Sequence, residues 1–186
     1  SRTTGFFRDV LFANFLGANL LSDAFLFAYR LPNLFRRIFA EGAVNSVFIP
    51  MYVSQEKEDS NLSNDFIWCI FIIFFITTSL LTIVILIFNH QVITLLAPGF
   101  LNNEIQFELS SKLIKITFPF LILVTLSSVL SSVLNTKGRF FLPSFLSIIL
   151  NSLMILTLLM FKSESYIPLA WSMIIAGLIQ LLLLFI

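Results

Sequence analysis

The sequence predicts an all-α protein, a polytopic transmembrane bundle of about six helices. Three observations carry that reading. Hydrophobic residues make up 58% of the 186 and charged residues only 11%, whereas roughly a quarter of a soluble domain is charged. Mean hydropathy is +0.99. Uncharged runs recur at about the 20 residues that a helix needs to cross a hydrocarbon core, and no stretch alternates in the manner of a half-buried strand.

In chain order, residues 1–17 and 21–52 read as the first two helices. Their stretch "DVLFANFLGANLLSDAFLFAYRLPNLF" is apolar on average but interrupted by Asp9, Asp23, Arg30 and Pro32, with a break expected between Gly17 and Leu21. Apolar sequence begins almost at once after Ser1. The first helix is therefore expected to be truncated, and the chain to be a fragment that ends at or within a sixth. Nothing resembles a cleavable signal peptide. "SQEKEDSNLSND", Ser54 to Asp65, reads as a solvated linker, and the charge-free run Phe66 to Phe88 sets the third helix at 66–89.

"VITLLAPGF", Val92 to Phe100, is too short to span and is stopped by Pro98-Gly99, so it is expected to lie along the interface or fold back on the bundle. The remaining helices fall at 110–136, 140–161 and 167–186, separated by Lys137 and Arg139 and by Lys162 to Tyr166. Basic residues without an acid place the Asn135 to Pro143 loop on the cytoplasmic side, and Ser54 to Asp65 with it.

Several chemistries are excluded. Cys69 stands alone inside a span, so it has no disulfide partner, and no metal-ligand cluster or cofactor motif is present. His90 is also alone, at the end of a span. A net charge of +1 gives nucleic-acid binding no electrostatic support.

Charge is instead concentrated early. Arg2, Arg8, Asp9, Asp23, Arg30, Arg36, Arg37 and Glu41 all fall within the first two helices, five arginines against three acids. A charge near a bilayer centre costs about 2.5–3.5 kcal/mol on insertion scales and faces a bundle interior or an aqueous cavity. Asp23, Arg30 and Arg37 recur at intervals of seven and so share a helix face, with Glu41 one turn beyond Arg37. Pro32 removes the hydrogen bond to the Ala28 carbonyl and is expected to bend the helix, freeing a carbonyl toward a polar cavity. A net basic cavity suits an anion, and the planar arginine fork fits a diphosphate.

"SRTTGFFRD", "LGANLLSDAFLFAYRLPNLFRRIFAEGAVNSVFIP", "LLAPGF", "KLIKITFPF" and "LNTKGRFFLPSF" together resemble the MurJ (MviN) lipid II flippases of the multidrug/oligosaccharidyl-lipid/polysaccharide exporter superfamily. The resemblance runs in order through nearly the whole chain. It implies a protein of about fourteen transmembrane helices in two lobes, in the bacterial cytoplasmic (inner) membrane, of which this chain is most of the N-terminal lobe; the C-terminal lobe is absent. It implies a transporter, not an enzyme, that moves undecaprenyl-pyrophosphate-linked peptidoglycan precursor from the inner to the outer leaflet.

By matching motifs, the substrate-binding residues fall on Arg2, Arg8, Asp23, Arg36, Arg37 and Glu41. Arg30 stands where the family usually has lysine, so only its charge carries over. The implied partners are lipid II, membrane lipids, the missing lobe with its further basic residue, and the peptidoglycan synthesis machinery. Alternating access would then bend helices at Pro32, Gly42 and Pro50. The runner-up is an exporter of another lipid-linked oligosaccharide or a drug antiporter of the same superfamily. A membrane enzyme acting on polyprenyl phosphates would need an acid or histidine cluster, and Glu56, Glu58, Asp59 and Asp65 read as linker instead. A scaffold has no use for buried charge.

Overall fold

The computed structural model describes residues 2–58, 60–161 and 166–185, with the side chains of residues 2, 41, 45, 56–58 and 60–63 outside the description. Asp59 and most of the Lys162 to Tyr166 loop therefore lie outside it. The described residues are helical almost throughout and contain no strand.

Helices α1 (Arg2–Leu16) and α2 (Leu20–Arg36) are separated by the turn expected there. Gly17 adopts φ +64, which residues with a Cβ adopt reluctantly. Asn19 then caps α2: its Oδ1 accepts the Ser22 N–H at 2.8 Å, while Ser22 Oγ accepts the Asn19 N–H at 3.1 Å.

Beyond Arg36 the chain winds on as a π-helical segment, Arg37–Phe48, before returning to α as α3 (Ile49–Glu58). The Ile49 N–H accordingly reaches the Val44 carbonyl, five residues back. A segment read as one helix over 21–52 is thus one path with two changes of winding. π turns are rare and gather at functional sites. Gly42 suits the wide turn, since a Cβ there would lie 3.3 Å from the Arg37 carbonyl oxygen. Pro50, which has no N–H to donate, sits in the first turn of α3.

Pro32 corrects one expectation. It is buried, and the Ala28 carbonyl does not open onto a cavity. Thr117 of α6 donates its hydroxyl to that carbonyl at 2.9 Å, so a side chain from a neighbouring helix replaces the missing N–H.

The chain continues as α4 (Ser60–Ile87), α5 (Asn89–Leu96), a 3₁₀ turn (Pro98–Asn102), α6 (Glu104–Thr117), α7 (Phe120–Thr136), α8 (Phe141–Phe161) and α9 (Tyr166–Leu184). The segment expected as a linker, Ser54 to Asp65, is helical up to Glu58 and again from Ser60. Its Glu, Gln and Lys residues are good helix formers whatever their polarity. Helix α6 starts at Glu104, earlier than expected, because Asn103 Oδ1 caps the Gln106 N–H at 3.1 Å. It runs on into α7 with a break at Phe118–Pro119. Helix α5 and its turn fold back on the bundle, where Ile93 is fully buried and Phe100 meets Phe27 edge to face at 5.5 Å.

Four stretches are long and apolar enough to cross a membrane: Asn64–Ile87, Glu104–Thr136, Phe141–Phe161 and Tyr166–Leu184. Helices α2, α6, α7, α8 and α9 share a core that includes Phe25, Ala28, Leu113, Leu121, Met154 and Met173, all fully buried. Helices α7 and α9 approach closely at Gly177, where a Cβ would sit 3.0 Å from side-chain carbons of Phe120 and Leu123. A second cluster, Val44, Phe48, Tyr52 and Val129, joins the π segment and α3 to α7, with Phe66 and Ile70 of α4 packed against it. The outer face of α4 leaves Ile72, Ile76, Leu80 and Ile87 more than half exposed, as befits a surface that meets lipid.

Candidate functional site

Arg8 is the junction of three helices. Its Nε and Nη2 donate to Asp9 Oδ1 at 3.0 and 2.7 Å, and its Nη1 donates to the Tyr29 hydroxyl at 2.6 Å and to Asn151 Oδ1 at 2.8 Å. The guanidinium carbon also lies 5.2 Å from the centre of the Tyr29 ring and 5.6 Å from that of Phe12. Asn151 is itself oriented by donating to Thr4 Oγ1 at 3.2 Å. The Arg8 side chain is 13% exposed and that of Asp9 is 64% exposed. A charge so nearly buried is tolerated because four of its five N–H groups are engaged and two ring faces adjoin it.

From this junction two concavities open. The first, about 530 Å³, carries Arg8, Arg30, Arg36 and Arg37 on the side of α1, α2 and the π segment, with no acid among its described lining residues. Asn33 links two turns of that wall, donating to the Tyr29 carbonyl at 2.8 Å and accepting from Arg36 Nε at 3.3 Å. Serines of α7, Asn151 of α8 and Gln180 of α9 also line it, beside apolar residues of the same helices such as Phe120, Val124, Leu146 and Leu150. The second concavity, about 620 Å³, shares Arg8, Tyr29 and Arg30 with the first and reaches Asp9, Ser22 and Asp23.

The expected stripe is therefore divided. Asp23 and Arg37 share a helix face, but fourteen residues of α-helix span about 21 Å. That length carries them into different concavities, with Arg30 lining both. Arg2 and Glu41 belong by backbone to α1 and the π segment, while their side chains lie outside the described residues. Of the nominated hinges, Pro32 packs into the bundle and Gly42 and Pro50 lie within and just after the π segment. Ser128 Oγ of α7 donates to the Ala40 carbonyl of that segment at 2.8 Å.

Sequence reasoning passed over Tyr29 and Asn151, which hold Arg8. Asn151 had a signal: an amide within the otherwise apolar "LSIILNSLMILTLLMF" is the kind of polar residue that bonds across helices in a bilayer. Tyr29 had none beyond its place beside Arg30.

A helical bundle with four stretches long and apolar enough to cross a membrane, and with four arginines lining one hollow, is the architecture of a polytopic membrane protein. Comparison with known proteins makes this particular. The family model "Lipid II flippase MurJ" matches residues 12–186. The chain is 42% identical over 187 residues to the probable lipid II flippase MurJ of Buchnera aphidicola subsp. Schizaphis graminum, covering 97% of this chain and 36% of that protein. It is 38% identical over 188 residues to the corresponding Rickettsia prowazekii protein, covering 100% of this chain and 37% of that one. A solved structure described as lipid II flippase MurJ in an inward closed conformation matches with a TM-score of 0.84 at 28% identity, over 99% of this chain and 39% of its own. The chain belongs to the lipid II flippase MurJ family. It spans little more than a third of the length of the curated relatives it matches.

Proposed function

We propose that this chain supplies the basic side of a substrate cavity that flips the lipid-linked peptidoglycan precursor, lipid II, from the inner to the outer leaflet of a bacterial cytoplasmic membrane. The observation that carries the reading is the cavity wall of Arg8, Arg30, Arg36 and Arg37, with no acid among the described residues that line the same hollow. The planar arginine fork meets phosphate oxygens two at a time, so such a wall suits a diphosphate. The diphosphate meets the arginines, the sugars occupy the hollow, and the polyprenyl tail remains in lipid. A second lobe, partner to this one, would close the cavity from the other side, and rocking of the two lobes would expose it to each face of the membrane in turn.

The test uses the complete gene product carrying these residues, in cells depleted of their own lipid II flippase. Lipid II reachable from outside is scored with a toxin that cleaves it. Wild type is expected to restore exposed lipid II, and Arg36→Ala and Asp23→Ala to fail at equal membrane levels. A wild type that restores none rejects the substrate, and variants that match wild type reduce these charges to membrane anchors.

A further inference from the structure

π winding ordinarily interrupts an α-helix for a single turn, whereas Arg37–Phe48 keeps it for twelve residues between two α-helices. The segment's own sequence does not demand this. "RIFAEGAVNSVF" contains no proline, and its arginine, alanine and glutamate residues favour an α-helix. Local preference and observed winding disagree, which is the mark of a segment shaped by its surroundings and is expected at functional sites.

Those surroundings are on α7. Ser128 Oγ donates to the Ala40 carbonyl at 2.8 Å. Ala40, Val44, Phe48 and Tyr52 form a buried row at a constant spacing of four, and the last three pack with Val129. In a uniform α-helix, residues four apart drift about 40° around the axis at each step, so Ala40 and Tyr52 would point about 120° apart. A wider turn over the first part of the row offsets that drift and keeps the row buried. The far end is anchored, since the Phe48 ring stacks on Tyr52 at 5.8 Å and on Phe66 of α4 at 5.9 Å. The near end carries Arg36 and Arg37, and Arg37, Ala40 and Ser128 all line the first concavity.

We infer that Arg37–Phe48 is a winding switch: it exchanges between the π form, tethered by Ser128 on Ala40, and an α form in which that bond is open, and the exchange turns Arg36 and Arg37 in the cavity wall. With Phe48 and Tyr52 held, rewinding the segment lengthens it and rotates what precedes it about the helix axis. The guanidiniums are then re-aimed without a bend at any one hinge. Packed elements with two discrete arrangements convert a small local change into such a movement. The inference goes beyond the substrate reading and applies to any anion in the hollow.

The experiment places the complete gene product in nanodiscs of phosphatidylethanolamine and phosphatidylglycerol, with its native cysteines replaced and spin labels on Leu34→Cys and Met51→Cys. Both positions are exposed and they flank the segment, 17 residues apart. Uniform α-helix would set them about 25 Å apart along the axis, and the π form brings them closer. Pulsed electron resonance is expected to resolve both distances in wild type, with the shorter dominant. Ser128→Ala should raise the ratio of longer to shorter about fivefold, the effect of one lost hydrogen bond. Ser128→Thr, which keeps the hydroxyl, should stay near wild type. Gly42→Ala should shift the ratio the same way as Ser128→Ala, because its added Cβ lies 3.3 Å from the Arg37 carbonyl oxygen in the π form and alanine favours the α form. A single shorter distance in wild type and both alanine variants, or a ratio that Ser128→Ala leaves unchanged, overturns the switch. No substrate takes part in the measurement, so either result leaves the substrate reading standing.

Discussion

The hydroxyl of Thr117 lies 2.9 Å from the carbonyl of Ala28, the acceptor that Pro32 leaves without its backbone donor. Thr117 and Ala28 are completely buried, so the proline of α2 and the threonine of α6 form one unit across two helices. Thr117→Val keeps the shape and removes the donor. It is expected to destabilise the chain by about 0.5–2 kcal/mol, the range of hydrogen bonds between membrane helices. In a Pro32→Ala background, where position 32 regains its backbone N–H, the same change should cost much less. Thermal unfolding of the four combinations measures the coupling, and equal losses in both backgrounds would show that the two residues act independently.

Arg8 depends on Asn151 for orientation. Replacing the amide with leucine of similar size removes the acceptor 2.8 Å from Nη1 and the bond to Thr4 as well. Hydrogen bonds to charged groups contribute about 1.5–3 kcal/mol, so Asn151→Leu should lower the rate of lipid II exposure by roughly tenfold or more at normal membrane levels. Asn151→Gln, which keeps an amide, should recover part of it. An unaltered rate in Asn151→Leu would mean that Asp9 and Tyr29 suffice to hold the guanidinium.

Gly177 permits α7 and α9 to touch. A Cβ there would meet Phe120 and Leu123 at 3.0 Å, so Gly177→Val drives a branched side chain into an occupied interface. Overpacking of this kind costs about 1–3 kcal/mol. The variant should unfold at lower temperature, and Gly177→Val combined with Leu123→Ala should regain part of the loss. Unchanged thermal stability of the single variant would mean that the helices part without penalty.

The helical class, the four long apolar stretches and the turn at Gly17 could all be read from residue order, because each follows from local rules of length, polarity and capping. The π winding of Arg37–Phe48 could not. No residue there marks it, and the contacts that accompany it, Ser128 on Ala40 and the packing of Phe48 and Tyr52, come from far along the chain. The spacing of Asp23, Arg30 and Arg37 gave the right helix face but not the division into two hollows, since periodicity fixes an angle around the axis and says nothing of what packs beside each turn. The same limit hid Thr117 and Asn151, whose partners lie 89 and 143 residues away.

That last separation has a consequence for how the protein is made. Arg8 is made before Asn151, which follows 143 residues later. At 5–20 residues per second, synthesis takes roughly 7–30 s to deliver it. Through that interval the guanidinium has Asp9 at its side and, once α2 folds back, Tyr29. The adjacent acid, with its side chain far more exposed than that of Arg8, is thus the carboxylate at hand from the outset to accompany this charge while the rest of the bundle is still being written.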